Sequence, residues 1–208
     1  MPQAPTPLHA TLALATRRRF HAAAAAALGL LLAASLVQPA LAAPNVTYTK
    51  DGVSFEHPAG WKVTEDSVAQ DETRLRSIDL EGPDDAVVTL LFSPFLKAQS
   101  IEAFAATTAK NRAESAKSSS AVAQQLQFGP STTAPITRNV AGQENKGVSQ
   151  RFVISMLGQK LPHEARFFKA DLGGTTAIIM TQVATEYAKA TEAGFALALD
   201  TLRYSGKR

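Results

Sequence analysis

The chain has no cysteine. Disulfides, iron–sulfur clusters, thiolate metal sites, a cysteine nucleophile and a lipidated amino-terminal cysteine are therefore excluded. Tryptophan occurs once, at Trp61, and of the four histidines only His57 and His163 lie beyond residue 42. Neither histidine has a partner at metal-ligand spacing, and Glu56, beside His57, points to the opposite face of a strand. The carboxylate pairs Glu65-Asp66, Asp71-Glu72 and Asp84-Asp85 fall in expected loops and lack the spaced oxygens of a calcium site. No Gly-x-Ser-x-Gly elbow is present, and Ser54 and His57, three apart in a strand, face opposite ways. Gly173-Gly174 leads into a strand, whereas a phosphate-cradling loop leads into a helix carrying a lysine. With no convergent set of polar groups, the expectation is a protein without catalytic residues, cofactor or metal. The rival expectation is a hydrolase of envelope substrates whose unrecognised active site uses His57 or His163.

What is present begins with a leader. Arg17, Arg18 and Arg19 precede an unbroken apolar stretch from Ala22 to Val37, followed by Pro39-Ala40-Leu41-Ala42-Ala43. A basic cluster, an apolar core and a small-x-small ending at Ala40 and Ala42 predict a signal peptide over residues 1–42, cleaved after Ala42. The apolar core is shorter than the roughly 20 residues a bilayer-crossing helix needs, so no stable membrane anchor is expected after cleavage. Thr16-Arg17-Arg18-Arg19-Phe20 resembles the twin-arginine export signal through Arg17, Arg18 and Phe20. The alanine-rich core fits that route; the lack of a basic residue just before the cleavage site fits the general secretory route. Either way the expected location is the periplasm.

The leader also accounts for the apparent basicity. The chain holds 21 lysines and arginines against 18 acidic residues. Without Arg17, Arg18 and Arg19 the two signs are equal, so charge gives no support for binding nucleic acid or an anionic membrane.

Residues 43–208 suffice for a single core. Asn45 to Thr49 and Val53 to Glu56 are expected strands around Asp51-Gly52, whose Gly52 supplies the positive dihedral of a tight hairpin. Pro58-Ala59-Gly60 stops the second strand, and Trp61 to Thr64 begins another. A tryptophan directly after such a turn is first a core anchor and only second a ligand-stacking surface. Ser67 to Thr73 is an expected loop, followed by strands from Arg74 to Leu80 and Ala86 to Phe92. The latter is apolar without alternation, as a strand covered on both faces would be.

Ser100 reads as the N-cap of a helix from Ile101 to about Lys117. A short strand around Leu126 and Phe128 precedes a loop reaching Pro135. Strands are then expected at Ile136 to Val140, Gln143 to Met156, His163 to Ala170 and Thr175 to Val183, with Gly158-Gln159 as one of the turns. Successive hairpins predict a largely antiparallel sheet. A helix from about Thr185 to Leu202 places Ala188, Thr191, Phe195, Ala198 and Leu199 on one side, and Gly194 inside it predicts a close approach to the sheet. Residues from Tyr204 onward read as a frayed tail. Two amphipathic helices covering a two-faced sheet give an α+β chain, an α/β/α sandwich around a central antiparallel sheet.

The Asp51-Gly52 turn, Val53-Ser54-Phe55, Pro58-Ala59-Gly60-Trp61, Val140-Ala141-Gly142 and the closing Leu202-Arg203-Tyr204 together resemble the PsbP-like and DcrB-like superfamily. The resemblance runs from about Tyr48 to Tyr204 and implies an antiparallel sheet between helices, with Gly52, Pro58, Gly60 and Trp61 in structural roles. Members of that superfamily include an extrinsic photosystem subunit, a nuclear-transport cofactor, bacterial envelope proteins and a mycobacterial lipid-associated protein. Binding or scaffolding is what they share, with no catalytic motif to carry over. The expectation is therefore an exported periplasmic protein that binds an envelope protein or a small apolar ligand.

If the twin-arginine route operates, residues 1–46 fused to a reporter that is exported only when folded will deliver it to the periplasm. Replacing Arg17 and Arg18 together by lysine should abolish that delivery. Unchanged export of the double variant would assign the leader to the general secretory route.

Overall fold

The structure, a computed structural model, describes residues 44–115 and 126–206. The chain divides after Ala42, and the leader residues Arg17, Arg18, Phe20, Ala40 and Ala42 lie outside the described residues, as do residues 116 and 117 of the first expected helix. The described part is mostly antiparallel sheet with two α-helices.

Strands β1 (Val46–Lys50) and β2 (Val53–His57) form a hairpin on Asp51-Gly52, whose φ values of 45° and 80° are those a two-residue primed turn requires. Three further strands, β3 (Lys62–Val68), β4 (Arg76–Glu81) and β5 (Val87–Phe92), lead through a short 3-10 segment, Pro94–Ala98, to helix α1 (Ile101–Ser115). Ser100 caps α1, its Oγ accepting from the Ala103 N–H. The chain continues through β6 (Leu126–Phe128), β7 (Thr132–Val140), β8 (Gln143–Met156), β9 (Gln159–Asp171) and β10 (Thr176–Ala184). Helix α2 (Ala188–Asp200) and a two-residue strand β11 (Arg203–Tyr204) close it.

Two sheets result. One has three strands in the order β1-β2-β11; the other has eight, in the order β3-β4-β5-β10-β9-β8-β6, with β7 also on β8. Period-two alternation divides the large sheet into two apolar faces. Leu91, Val148, Phe152, Ala165, Phe167 and Ile178 pack with Ile101 and Ala105 of α1. Leu90, Phe92, Phe168 and Ile179 pack with Phe195, Ala198 and Leu199 of α2, and with Val53 and Phe55 of β2. Each helix thus serves one face, as the sequence suggested in outline. The expected helix-sheet-helix layering is incomplete because the three-stranded sheet shares the α2 face, making the fold sheet-dominated.

Four local expectations are corrected. β3 runs on to Val68, into the segment expected to loop, because its pairing with Arg76 at the end of β4 continues past a bulge between Val63 and Glu65. Thr132–Pro135 belongs to β7; Pro135 is tolerated there because β7 pairs only with β8 and donates nothing across its outer edge. The β8–β9 turn is Leu157-Gly158, not Gly158-Gln159, so Leu157 adopts φ 52° at 73% exposure, where a leucine costs about 1 kcal/mol. Finally, Tyr204 is not frayed. Arg203 and Tyr204 pair with Ser54 and Val53, the Tyr204 ring stacks on Phe92, and the Ser205 N–H donates to Gly52 O at 2.7 Å.

Trp61 is 5% exposed. Its indole meets the edge of Phe195 at 5.3 Å between ring centroids, and it lies over Gly82 and Gly194. A Cβ at Gly82 would stand 2.5 Å from the ring, and one at Gly194 would overlap it. The close approach expected of Gly194 is therefore made to Trp61.

Glycine to alanine inside a helix ordinarily gains about 1 kcal/mol. Gly194→Ala is expected to reverse that sign, since overpacking a closed core costs about 1–3 kcal/mol. Urea unfolding measures it, and a gain in stability would refute the indole–helix contact.

Candidate functional site

Most charged groups that the fold brings together are closed upon one another. Arg76 in β4 grips Asp66 of β3 through Nε (2.9 Å) and Nη2 (3.1 Å), and also donates to the carbonyls of Lys50 and Asp51. Tyr48 donates to Asp66 at 2.6 Å and Lys50 Nζ adds 2.7 Å, so this cluster ties the first hairpin to the large sheet. Burial opposes charge on Asp66, but the bonds from Arg76, Lys50 and Tyr48 prevail and hold its carboxyl well below the usual range. Burial, reinforced by Asp66, pushes the Tyr48 phenol up to about 12.

A second network fastens α2. Glu192 accepts from Arg138 of β7 at 2.6 Å and from Arg166 of β9 at 2.8 Å, while Glu164 accepts from Ser149 and Arg166. Both glutamates sit below their ordinary pKa despite burial, through these bonds. On the other face Asp79 is raised, first by burial and then by Glu65 and Glu81, with the Thr89 hydroxyl opposing.

A different situation holds beside α1. β6 and β7 both pair with β8, but Gly129-Pro130-Ser131 interrupts them, and Pro130 has no N–H to continue the ladder. Between this interruption and α1 runs an open groove of about 470 Å³. Ala106, Ala109 and Ala113 of α1 form one wall, Phe128 and Pro130 the other, and Gln150 the floor. Spacing of three and four residues puts the three alanines on one helix face, and their small size leaves the space open. Lys110 stands exposed at the rim.

Gln150 is 1% exposed and held from two sides. Its Nε2 donates to Ala105 O (3.2 Å), and its Oε1 accepts from Arg112 Nη1 (3.1 Å). The Arg112 guanidinium rests 3.7 Å above the Phe152 ring, a cation–π contact contributing about 1 kcal/mol. Its Nη2 is buried without a hydrogen-bond partner among the described residues. Burial pushes this arginine down to about 10. Phe152 also touches Phe128 of the groove wall and stacks on His163.

Of the residues singled out in the sequence, Gly52 makes the first turn, and Trp61 lies in the α2-side core, away from the groove. Pro58 accepts at its carbonyl from the Trp61 N–H, and a Cβ at Gly60 would meet nothing within 4 Å. His57 belongs to the small sheet and its Nδ1 donates to Pro58 O. His163 is on the α1 face of the large sheet, with Nδ1 donating to Leu161 O. The two histidines are not brought together, and no group of three metal-ligating side chains occurs among the described residues. Arg112 and Gln150 were missed. The signal was there: Ile101, Ala105, Thr108 and Arg112 follow one helix face, an apolar stripe ending in a cation.

No protein-family model and no curated protein matches the chain. Solved structures similar to it include cyanobacterial PsbP (CyanoP) from Synechocystis, at 12% identity over 85% of this chain and 99% of that one, with a TM-score of 0.46. LpqN, involved in cell envelope biogenesis of Mycobacterium tuberculosis, is similar at 9% identity over 77% and 88%, with a TM-score of 0.36.

The titrating groups set a two-stage acid response. Burial depresses the His163 pKa, helped by Arg112, so the neutral ring is the folded form and stability is complete above its unfolded value. A shallow loss is expected as pH falls below about 6.5. Asp66, Glu164 and Glu192 are also depressed, so their contribution persists until about pH 4 and disappears steeply below it. Urea unfolding across pH should show His163→Phe removing the shallow stage and Asp66→Asn reducing the steep one. A flat profile through the histidine range would refute the first assignment.

Proposed function

We propose that the chain is an exported, non-catalytic binding protein of the cell envelope, placed in the periplasm, whose groove beside α1 takes a small apolar ligand. The observation that carries this reading is the groove itself: about 470 Å³ lined by three alanines, Phe128 and Pro130, with Lys110, Ser131, Thr133 and Gln150 as its polar groups. The leader composition supports export. The closed networks at Asp66–Arg76 and Glu164–Arg166–Glu192 support a structural use for the main polar clusters, since their acceptors are occupied by protein donors. Among the described residues no helix is long and apolar enough to cross a membrane. We read the fold as a PsbP-like helix-sheet-helix sandwich with an added small sheet.

Protein purified from periplasm and sprayed under native conditions is expected to carry a small apolar adduct. Ala109→Trp, which fills the groove from a half-exposed helix position, should lose the adduct while keeping the unfolding free energy within about 0.5 kcal/mol of the parent. A clean mass, together with no thermal shift from any apolar compound, would refute the ligand reading. A stoichiometric protein recovered by crosslinking in place of an adduct would assign the groove to an envelope partner instead.

A further inference from the structure

The half-buried arginines of this chain divide into two kinds. Arg76, Arg138 and Arg166 each end on a carboxylate, at 2.9, 2.6 and 2.8 Å. Arg112 does not. Among the described residues no acidic side chain pairs with it; its neighbours are an amide oxygen and an aromatic ring, and burial alone displaces its pKa. A guanidinium offers five N–H donors in a rigid planar fork, and here Nη2 is out of water with none of its hydrogens accepted among the described residues. Such a group is costly to bury, and the fold leaves it without the anion it gives the other three.

Position gives the fork a use. Arg112 is one hydrogen bond behind Gln150, the groove floor, and rests on Phe152, which abuts Phe128 of the groove wall. Phe152 holds the fork flat, and Gln150, itself fixed by Ala105 O, holds Nη1. The amide oxygen of Gln150 is a neutral acceptor, weaker than a carboxylate at the same nitrogen. Lys110 at the rim adds a second cation; its own partner, Glu114, is 3.9 Å away and both are exposed.

We propose that Arg112 recognises the carboxylate head of a single-chain amphiphile whose apolar tail lies along Ala106, Ala109, Ala113 and Phe128. The head takes Nη2 and displaces the Gln150 amide from Nη1, giving the two-pronged pairing that suits a guanidinium and a carboxylate. This inference rests on the groove being the ligand site; charge selectivity is what it adds.

Four probes on the full-length exported protein test it by calorimetry: dodecanoate, dodecanol, dodecyltrimethylammonium and butyrate. Dodecanoate is expected to bind more tightly than dodecanol, and the ammonium compound most weakly. Arg112→Met should weaken dodecanoate by at least about tenfold and leave dodecanol unchanged. It should also lower urea stability, because Gln150 Oε1 loses its donor and Phe152 its cation, so the readout that decides is the split between the two long-chain probes. A purely structural arginine would lower both affinities together. If Arg112→Met does not fold, Arg112→Lys, which keeps the charge without the fork, and the dodecanoate–dodecanol difference in the parent protein carry the test. Equal binding of dodecanoate and dodecanol overturns the role of Arg112 and leaves the apolar groove standing. Arg112-dependent butyrate binding without any long-chain binding upholds the anion site and removes the groove reading. Binding of none of the four overturns both.

Discussion

The indole of Trp61 is the contact on which the α2 half of this protein depends. It is the largest side chain in the sequence and its ring fits only because Gly82 and Gly194 lack side chains beneath it. Burying an indole withdraws some 150–250 Å² from water, which corresponds to about 4–6 kcal/mol. That contribution joins parts remote in sequence: the turn before β3, the turn after β4 and the middle of α2. Phe195 supplies the edge contact that fixes the ring plane, so helix position and ring orientation are set together. The glycine that weakens α2 locally is the one that allows it to dock.

The two faces of the large sheet are stabilised differently. On the α2 face, apolar packing is bordered by ion pairs that reach from strand to strand and from sheet to helix. Arg166 alone links Glu164 on its own strand to Glu192 on α2. These charges are partly buried, so each would be expensive without its partner, and pairing makes the arrangement of elements specific. On the α1 face the helix contributes mostly alanine and threonine. Ile101, Ala105 and Thr108 are buried and Phe104 partly so, and the alanine wall beside them is too small to fill the space above Gln150. The groove is a consequence of helix composition as much as of strand interruption at Pro130.

Much of this was legible in order along the chain. Asp51-Gly52 and Ala141-Gly142 announce their hairpins because a tight primed turn needs positive φ, and glycine supplies it. Val87–Phe92 announces a doubly covered strand because it has no polar face to turn outward. What escaped were features decided by distant partners. The Tyr204 strand is two residues long and forms only because β2 presents an open edge and Phe92 a ring to stack on. Pro135 looks like a terminator until β7 is known to be an edge. The groove escaped for the same reason: Gln150 and Phe128 are both in-phase residues of ordinary strands, and nothing in either strand reveals that only small side chains stand opposite.

Arg112 shows where local consistency stops. Its stripe of Ile101, Ala105 and Thr108 calls for another small or apolar residue, and the site would pack more simply with one. Sequences that agree with their fold at every level still break the rule at functional positions, where a less stable group is retained for what it binds. The other buried arginines are poorer candidates for such a role, because each already has its charge met by Asp66, Glu164 or Glu192. Arg112 requires only that an amide oxygen be displaced. The same low-dielectric surroundings that make its unpaired nitrogen unfavourable would strengthen any charge-assisted bond formed there. Selectivity for an anionic head therefore follows from how the fold distributes its carboxylates: Arg76, Arg138 and Arg166 each hold one, and among the described residues Arg112 holds none.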